Sequence, residues 1–471
     1  MTIFDSPRIY SLLEQYNPWW KNGQVSEKLP TMHREAYHDT LRTICSAELR
    51  RFAVLSGARR VGKTTVMKQL IVELLSRGVS PSNILYLTFD NPIFKLCGID
   101  RVIQAYEEYV PHQGPYFFFL DEVQYAESWS LWVKTLYDMH QDLRLVATGS
   151  ASPAIEKGAS DSGVGRWRVF RMPTMTFNEY CHMQGVEACH GELPRLPEIA
   201  GMEAKDFNHL MLQFNNLAPY WNRYLQVGGF PELMQVQDTA EAQRVLREDV
   251  VDKVLKRDVP ALFDVRNSLQ LEKIFLYLCF HTGNLISFTS ICSELDGVSK
   301  PTLMRYIDYL RDANLLYISH DYHTIGKRGL AARPKIYIAD AALRNACLMI
   351  ENPLLNPADL GIMVETTVYK HFACAFSSHA HVGYMRLSRN KEIDIVVSLP
   401  SGTNLLCEVK YRSHSPISSQ DAILAQSADK NCIGAFVASK DLHDYGISLT
   451  DSGSRLIRIP APALCYLLGA S

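Results

Sequence analysis

Short, mostly apolar runs alternate with amphipathic stretches over the first 150 residues. The runs are Phe52–Leu55, Ile84–Phe89, Tyr116–Leu120 and Leu143–Ala147. Four to six apolar residues bounded by turn residues read as strands buried on both faces, the pattern of a parallel sheet. Between them, Val66, Leu70, Ile71, Leu74 and Leu75 recur at helical spacing. Arg101–Tyr109 reads as a second helix, and Trp129, Leu131, Trp132, Val133, Leu136 and Met139 as a third. Strands alternating with helices predict a doubly wound α/β sheet with its ligand at the strands' carboxyl ends. Ahead of the first strand lie an amphipathic piece (Tyr10, Leu12, Leu13, Tyr16), the stretch Asn17-Pro18-Trp19-Trp20 and a helix over Tyr37–Arg50. Two adjacent tryptophans bring much apolar surface, either for packing or for a place near a bound base.

The second half reads differently. Residues 181–215 mix Pro, Gly, Glu and His and are expected to be an insertion or lid loop. Their Cys181-His182 and Cys189-His190 pairs lack the two-to-four-residue spacing of structural zinc ligands. Trp221–Val227, Gly228-Gly229-Phe230-Pro231-Glu232 and a helix over Val245–Val259 continue a helical region. Helices over Leu271–Phe280 and Pro301–Ala313, then a hairpin through Gly326-Lys327-Arg328-Gly329, predict a winged helix. Ser299 caps its second helix, with Pro301 just inside the start. Pro353 and Pro357 mark a linker, after which come a helix over Met363–Phe376 and strands over Glu392–Val397 and Leu405–Lys410. The expected boundaries are an N-terminal arm at 1–35, a nucleotide-binding core at 36–175, a helical lid region at 176–262, a winged helix at 263–350 and a last domain at 351–471.

Composition adds limits. At 471 residues there is room for about three domains at ~150 residues each. Apolar residues are 47% and charged ones 21%, ordinary globular values. A net charge of −2 gives no overall attraction to nucleic acid, so any DNA contact must come from local patches. The eleven cysteines are scattered, without a C-x-x-C pair, and read as reduced thiols. No signal peptide and no apolar stretch of ~18 residues is visible, so a cytoplasmic protein without a membrane span is expected.

The chemistry concentrates after the first strand. Gly57, Ala58, Arg59, Arg60, Val61, Gly62, Lys63 and Thr64 fit G-x-x-x-x-G-K-[ST], with Thr65 continuing into the helix. Strand, glycine loop and helix in that order make a phosphate cradle: backbone N–H groups turn inward and the helix N-terminus favours negative charge. Lys63 reaches the outer phosphates and Thr64 can hold Mg²⁺, so ATP and Mg²⁺ are the expected cofactors. The third strand delivers Asp121 and Glu122 at its carboxyl end. Asp121 would hold Mg²⁺ through water and Glu122 would polarise the attacking water. Thr148 and Ser150, closing the next strand, are candidate γ-phosphate sensors.

The wording GARRVGKTT, FFFLDEVQ and VATGSAS, then Gly165-Arg166 and Thr176-Phe177-Asn178-Glu179-Tyr180, resembles a group of prokaryotic AAA-type ATPases. Those proteins carry a C-terminal domain of unknown function with a nuclease-like core. Pro173 and the segment Ser160–Val164 depart from that wording. Gly228–Glu232 and Lys256-Arg257-Asp258 match it. The resemblance implies an α/β chain with a P-loop AAA-type ATPase core, a helical lid, a winged helix and a C-terminal α/β restriction-endonuclease-like domain. It makes Arg166 either an arginine finger on a neighbour's nucleotide in a homo-oligomer or a sensor within one subunit. In the winged helix, Lys300, Arg305, Lys327 and Arg328 either meet DNA phosphates or belong to a rigid connector. Asp394, Glu408 and Lys410 resemble a PD-(D/E)xK core, with Asp394 and Glu408 as metal ligands and Lys410 beside the reacting group. Positions two apart on a strand share a face, so Glu408 and Lys410 point the same way. Glu365 would supply a fourth group, by its V-E-x-x-V wording. The implied function is an ATPase coupled to a metal-dependent domain that binds or cuts DNA; the alternative is a nucleotide-dependent switch or scaffold with an inactive nuclease-like domain.

Overall fold

The computed structural model describes residues 5–46, 48–149, 165–189, 191–263, 265, 267–295, 297–324, 333–376, 378–388, 391–412, 417 and 421–470. Ser150, Lys327 and Arg328 therefore lie outside the described residues. Contacts group the chain into two compact units. The first comprises Met1–Met172, Asp258–Val265 and Asp312–Asn314, and the second Pro173–Arg257, Arg266–Arg311 and Leu315–Ser471.

The first unit is built on a five-stranded sheet: β1 (Phe52–Ser56), β2 (Ile84–Thr88), β3 (Tyr116–Asp121), β4 (Leu143–Gly149) and β5 (Trp167–Arg171). Their order is β2-β3-β4-β1-β5, and all neighbours are parallel. The apolar runs are the strands because a parallel sheet covered on both faces gives each side chain a dry environment. Helices Lys63–Ser76, Ile99–Tyr109 and Trp129–Met139 follow β1, β2 and β3 in turn.

The N-terminal arm solves the exposed-edge problem of this sheet. Among the described residues β2 pairs with β3 and no other strand, so it is an edge of the sheet. Asn17 accepts from the Tyr86 N–H at 2.6 Å and donates to the Tyr86 carbonyl at 2.9 Å, copying a strand partner. The indole N–H groups of Trp19 and Trp20 both donate to the Ile84 carbonyl, at 3.0 and 2.9 Å. Ile84 begins β2, at the end of the sheet away from the P-loop. The two tryptophans thus have a packing role at this edge.

The second unit begins with helices and ends in a mixed sheet. Residues 181–215, expected as loop, hold two helices, Leu196–Gly201 and Ala204–Leu212. They form because Leu196, Ile199 and Ala200, then Phe207, Leu210 and Met211, make buried stripes at helical spacing. Downstream, Leu246–Asp252 and Val254–Asp258 coil in wide i→i+5 turns rather than as a regular α-helix. Helices Ser268–Phe280, Phe288–Glu294 and Lys300–Asp312 precede the antiparallel pair β6 (Leu316–Ser319) and β7 (Lys335–Ile338). The Ser299 hydroxyl accepts from the Thr302 N–H at 3.3 Å, the cap its position implies.

Helix Pro357–Phe376 leads into the last sheet. Its strands are β8 (His381–Ser388), β9 (Lys391–Ser398), β10 (Asn404–Lys410), β11 (Cys432–Ser439), β12 (Gly446–Leu449) and β13 (Arg455–Pro460). The order is β12-β13-β11-β10-β9-β8, parallel only across β10-β11-β13. Inside this unit Gly228 and Gly229 allow close backbone approach. A Cβ on Gly229 would lie 2.3 Å from the Met175 carbonyl, and one on Gly228 2.4 Å from Asp340 Oδ1.

One buried group makes this unit pH-sensitive. His371 is fully buried; its Nε2 accepts from the Phe177 N–H at 2.8 Å and its Nδ1 contacts the Thr367 carbonyl at 2.7 Å. Burial, with Lys370 beside it, lowers its pKa from 6.5 to about 3. Below pH 6.5 the unfolded chain takes up a proton that the folded one refuses. Stability from this group is complete above pH ~6.5 and lost as pH falls towards ~3, by up to about 1.4 kcal/mol per pH unit. A urea-midpoint series from pH 7.5 to 4.5 should show the loss, and His371→Gln should flatten that slope.

Candidate nucleotide site and carboxylate cluster

The P-loop leaves β1 at Ser56 and closes on helix Lys63–Ser76. Gly57 is held by close approach: an added Cβ would lie 2.2 Å from the Met172 carbonyl. Gly62 starts the helix at φ 97°, open to glycine at little cost. Arg34 donates to the Val61 carbonyl at 2.9 Å and fixes the loop from outside. Ala58 and Val61 are buried, while Arg60 takes a left-handed φ of 61°. Thr65 lies in the first turn of the helix.

Lys63 points back into this loop and donates to the carbonyls of Gly57 and Ala58, both at 2.9 Å. Burial lowers its pKa, against the raising influence of Glu122 and Asp121. A buried ammonium whose hydrogen-bond partners are neutral carbonyls is undercompensated, and a polyphosphate would supply the missing charge.

Asp121 is the hub beside it. Its Oδ2 accepts from the Thr64 hydroxyl at 2.9 Å and the Tyr86 hydroxyl at 3.0 Å, and its Oδ1 accepts from Thr148. Thr148 in turn accepts from the Glu122 N–H at 3.0 Å. Parallel register does this: β2, β3 and β4 end side by side, and β1 delivers the loop between β4 and β5. A carboxylate and a threonine hydroxyl in contact are the hard oxygen donors Mg²⁺ prefers, so these residues fit the expected ion. Glu122 sits at φ 54°, a costly conformation for a non-glycine residue and one that clusters at functional sites. Gln124 donates to its Oε2.

Arg59 is held more firmly than its loop position suggested. It forms a two-point ion pair with Asp258 and also donates to the Tyr125 hydroxyl at 2.9 Å, while Tyr125 donates to Asp258 at 2.9 Å. Tyr86, Tyr125 and Asp258 were not in the sequence-derived site. Tyr86 becomes visible only once the strand order places β2 beside β3.

Arg166 is not brought to this loop within the subunit. Its carbonyl accepts from the Phe52 N–H at 3.0 Å, at the start of β1, whereas the P-loop leaves the other end, roughly 15 Å along the strand. Its guanidinium pairs with Asp138 at 2.9 and 3.2 Å.

The second constellation lies in the second unit. Continuing the β9–β10 register by one residue sets Asp394 opposite Glu408. Asp394 Oδ2 accepts from the Val409 N–H at 2.9 Å. Lys410 pairs with Glu408 at 2.6 Å and lies 3.5 Å from Asp421. Glu365, on helix Pro357–Phe376, accepts from the Tyr337 hydroxyl at 2.9 Å. Burial, with Asp394 nearby, raises its pKa to about 7. The four expected residues are thus neighbours.

An unforeseen one sits among them. Lys335, on β7, has a side chain only 2% exposed, with Nζ 2.9 Å from Glu392, 3.7 Å from Asp394 and 3.8 Å from Glu365. Among the described residues, no group of three or more His, Cys, Asp or Glu is arranged to hold a metal ion. Glu392, Asp394 and Glu365 here already have a cation, Lys335. Sequence offered no signal for Lys335, because β7 and β9 lie ~60 residues apart in the chain.

Residues 49–181 match a family model described as an AAA domain. Residues 218–354 and 360–461 match two models described as domains of unknown function, DUF8612 and DUF4143. An uncharacterized protein of Haemophilus influenzae is 24% identical over 62% of this chain and 68% of its own length. One from Methanocaldococcus jannaschii is 22% identical over 61% of this chain, which spans 60% of that relative's length. Among solved structures, the Aeropyrum pernix ORC2 protein in its ADPNP and ADP complexes is similar at 13% identity and a TM-score of 0.38. The match covers 70% of this chain and 98% of that one, a likeness too distant to carry a functional inference. Among the described residues, no helix is long and apolar enough to cross a membrane.

Proposed function

With residues 49–181 forming an AAA-type P-loop ATPase domain, we propose that the chain hydrolyses ATP with Mg²⁺ and uses the cycle to control an action on DNA by its second unit. The observation that carries the ATPase part is the contact of Asp121 with Thr64 and Thr148 beside a buried Lys63. In this reading Lys63 binds the outer phosphates, Thr64 and Asp121 hold the ion that neutralises developing charge, and Glu122 orients the attacking water. Thr148 links the two acids, holding Asp121 through its hydroxyl and the Glu122 backbone through its oxygen. Ser150 is a further sensor candidate on sequence grounds alone.

For DNA, the supporting feature is helix Lys300–Asp312, which buries Leu303, Tyr306, Ile307 and Leu310 and leaves Lys300 and Arg305 exposed. The lysine-filled cluster favours a nucleotide-driven switch that binds DNA over one that cuts it. Cleavage is the second reading, favoured by Asp394, Glu408 and Lys410 lying together on neighbouring strands. Incubating supercoiled and branched DNA with Mg²⁺ or Mn²⁺, with and without ATP, separates them. DNA should bind and change ATP turnover without being nicked; metal-dependent nicking lost in Asp394→Ala would install the second reading, and DNA without effect on either would remove the DNA partner.

Arg166, remote from its own P-loop, keeps a finger role only across a subunit boundary of a homo-oligomer. Arg166→Ala should lower turnover with little change in nucleotide affinity. Mixing it with Lys63→Ala protein should restore part of the activity through complementary sites. A mixture as inactive as its parts argues against a role in trans.

A further inference from the structure

Lys335 is a buried charge facing three carboxylates. Its backbone is fixed on both sides, by Ser319 in register on β6 and by a bridge to Leu285. The Gly283 N–H donates to the Ile336 carbonyl at 2.9 Å and the Ile286 N–H to the Pro334 carbonyl at 2.8 Å, so the residues on either side are tied as well. The side chain is therefore delivered to one place. There its ammonium pairs with Glu392 at 2.9 Å and stands 3.7 and 3.8 Å from Asp394 and Glu365, with the Tyr384 ring 5.6 Å away. A desolvated ammonium is stable only where carboxylates compensate it, and buried carboxylates need a cation as much as it needs them. That cation could be a divalent metal or an ammonium. Both cannot share the same oxygens, since two cations a few ångströms apart in a dry site repel strongly.

We propose that Lys335 is the built-in cation of this cluster, standing where a divalent metal would sit, so that the second unit binds no metal at Glu365 and Asp394 while Lys335 is seated. The carboxylates and Lys410 keep the order of a metal-dependent site, and a side chain from β7 holds it shut. The inference concerns this cluster alone, so a failure of ATP turnover leaves it standing.

Calorimetric titration of nucleotide-free full-length protein with Mn²⁺ tests it. The parent and Lys335→Arg should show no binding that depends on Asp394. Lys335→Met should show the Asp394-dependent Mn²⁺ binding that the parent lacks, and Lys335→Met/Asp394→Asn should lose it again. If Lys335→Met melts early, Mn²⁺ should raise its Tm and leave that of Lys335→Arg unchanged, because the ion replaces the missing charge. Mn²⁺ binding by the parent that Asp394→Asn abolishes would overturn the proposal. So would a folded Lys335→Met that binds no tighter than the parent, or one that millimolar Mn²⁺ fails to restore.

Discussion

Lys63→Ala should lose nucleotide binding and turnover together. The ammonium is fully buried and donates to two carbonyls of its own loop. Removing it leaves backbone N–H groups, the helix terminus and the expected ion to balance the several negative charges of a polyphosphate. Losing one electrostatic contact of this kind typically costs on the order of 10²–10³ in rate. Because Lys63 contacts the ground state as well, KM should rise alongside the fall in kcat. Folding should be spared, since deleting the side chain removes a buried charge rather than stranding one. Phosphate release and fluorescent-ATP binding on the same samples check both parts; a variant within threefold of the parent in each would remove Lys63 from the site.

Lys370→Met should be the most destabilising single change in the second unit. Lys370 Nζ donates to Asp340 at 2.8 Å, to the Met175 carbonyl at 2.9 Å and to the Tyr224 hydroxyl at 2.9 Å, and both charged side chains are almost fully buried. Burial pushes the Asp340 carboxyl up, but Lys370, Gly229 and Thr174 hold it below its ordinary value. Without the lysine, Asp340 keeps only Thr174 and two backbone N–H groups, an uncompensated buried charge worth about 3–5 kcal/mol. The midpoint of thermal unfolding should fall by about 6–20 °C. Adding Asp340→Asn should recover part of the loss, because the stranded charge goes with it. A single-variant shift under about 2 °C would show that the pair is not buried as described.

Legibility in the sequence followed locality. The P-loop could be read because its residues are contiguous and its flanks are a strand and a helix. Asp121 and Thr148 could be read because each closes an apolar run, so strand ends and site coincide. Tyr86 could not: it sits mid-strand in an apolar run, and its hydroxyl matters only because β2 lies beside β3. Asn17 and the two tryptophans looked like a packing or base-binding segment, and their edge-capping role needed the knowledge that β2 is an edge. The helices at Leu196–Gly201 and Ala204–Leu212 were hidden by Pro and Gly, although Pro197 falls in a first turn where proline is tolerated. Arg166 was chosen by wording, and wording does not say at which end of β1 it lies. Lys335 had no local mark at all.

The measurement closest to the central claim is Mg²⁺-dependent phosphate release from ATP by the full chain, run beside Glu122→Gln. The parent should turn over many times, while the Gln variant should bind ATP with near-parent affinity and stall, since it keeps the Thr148-held backbone but loses the carboxylate that orients water. A parent that releases no phosphate, or a Gln variant that keeps pace with it, would contradict the assignment of hydrolysis to this site.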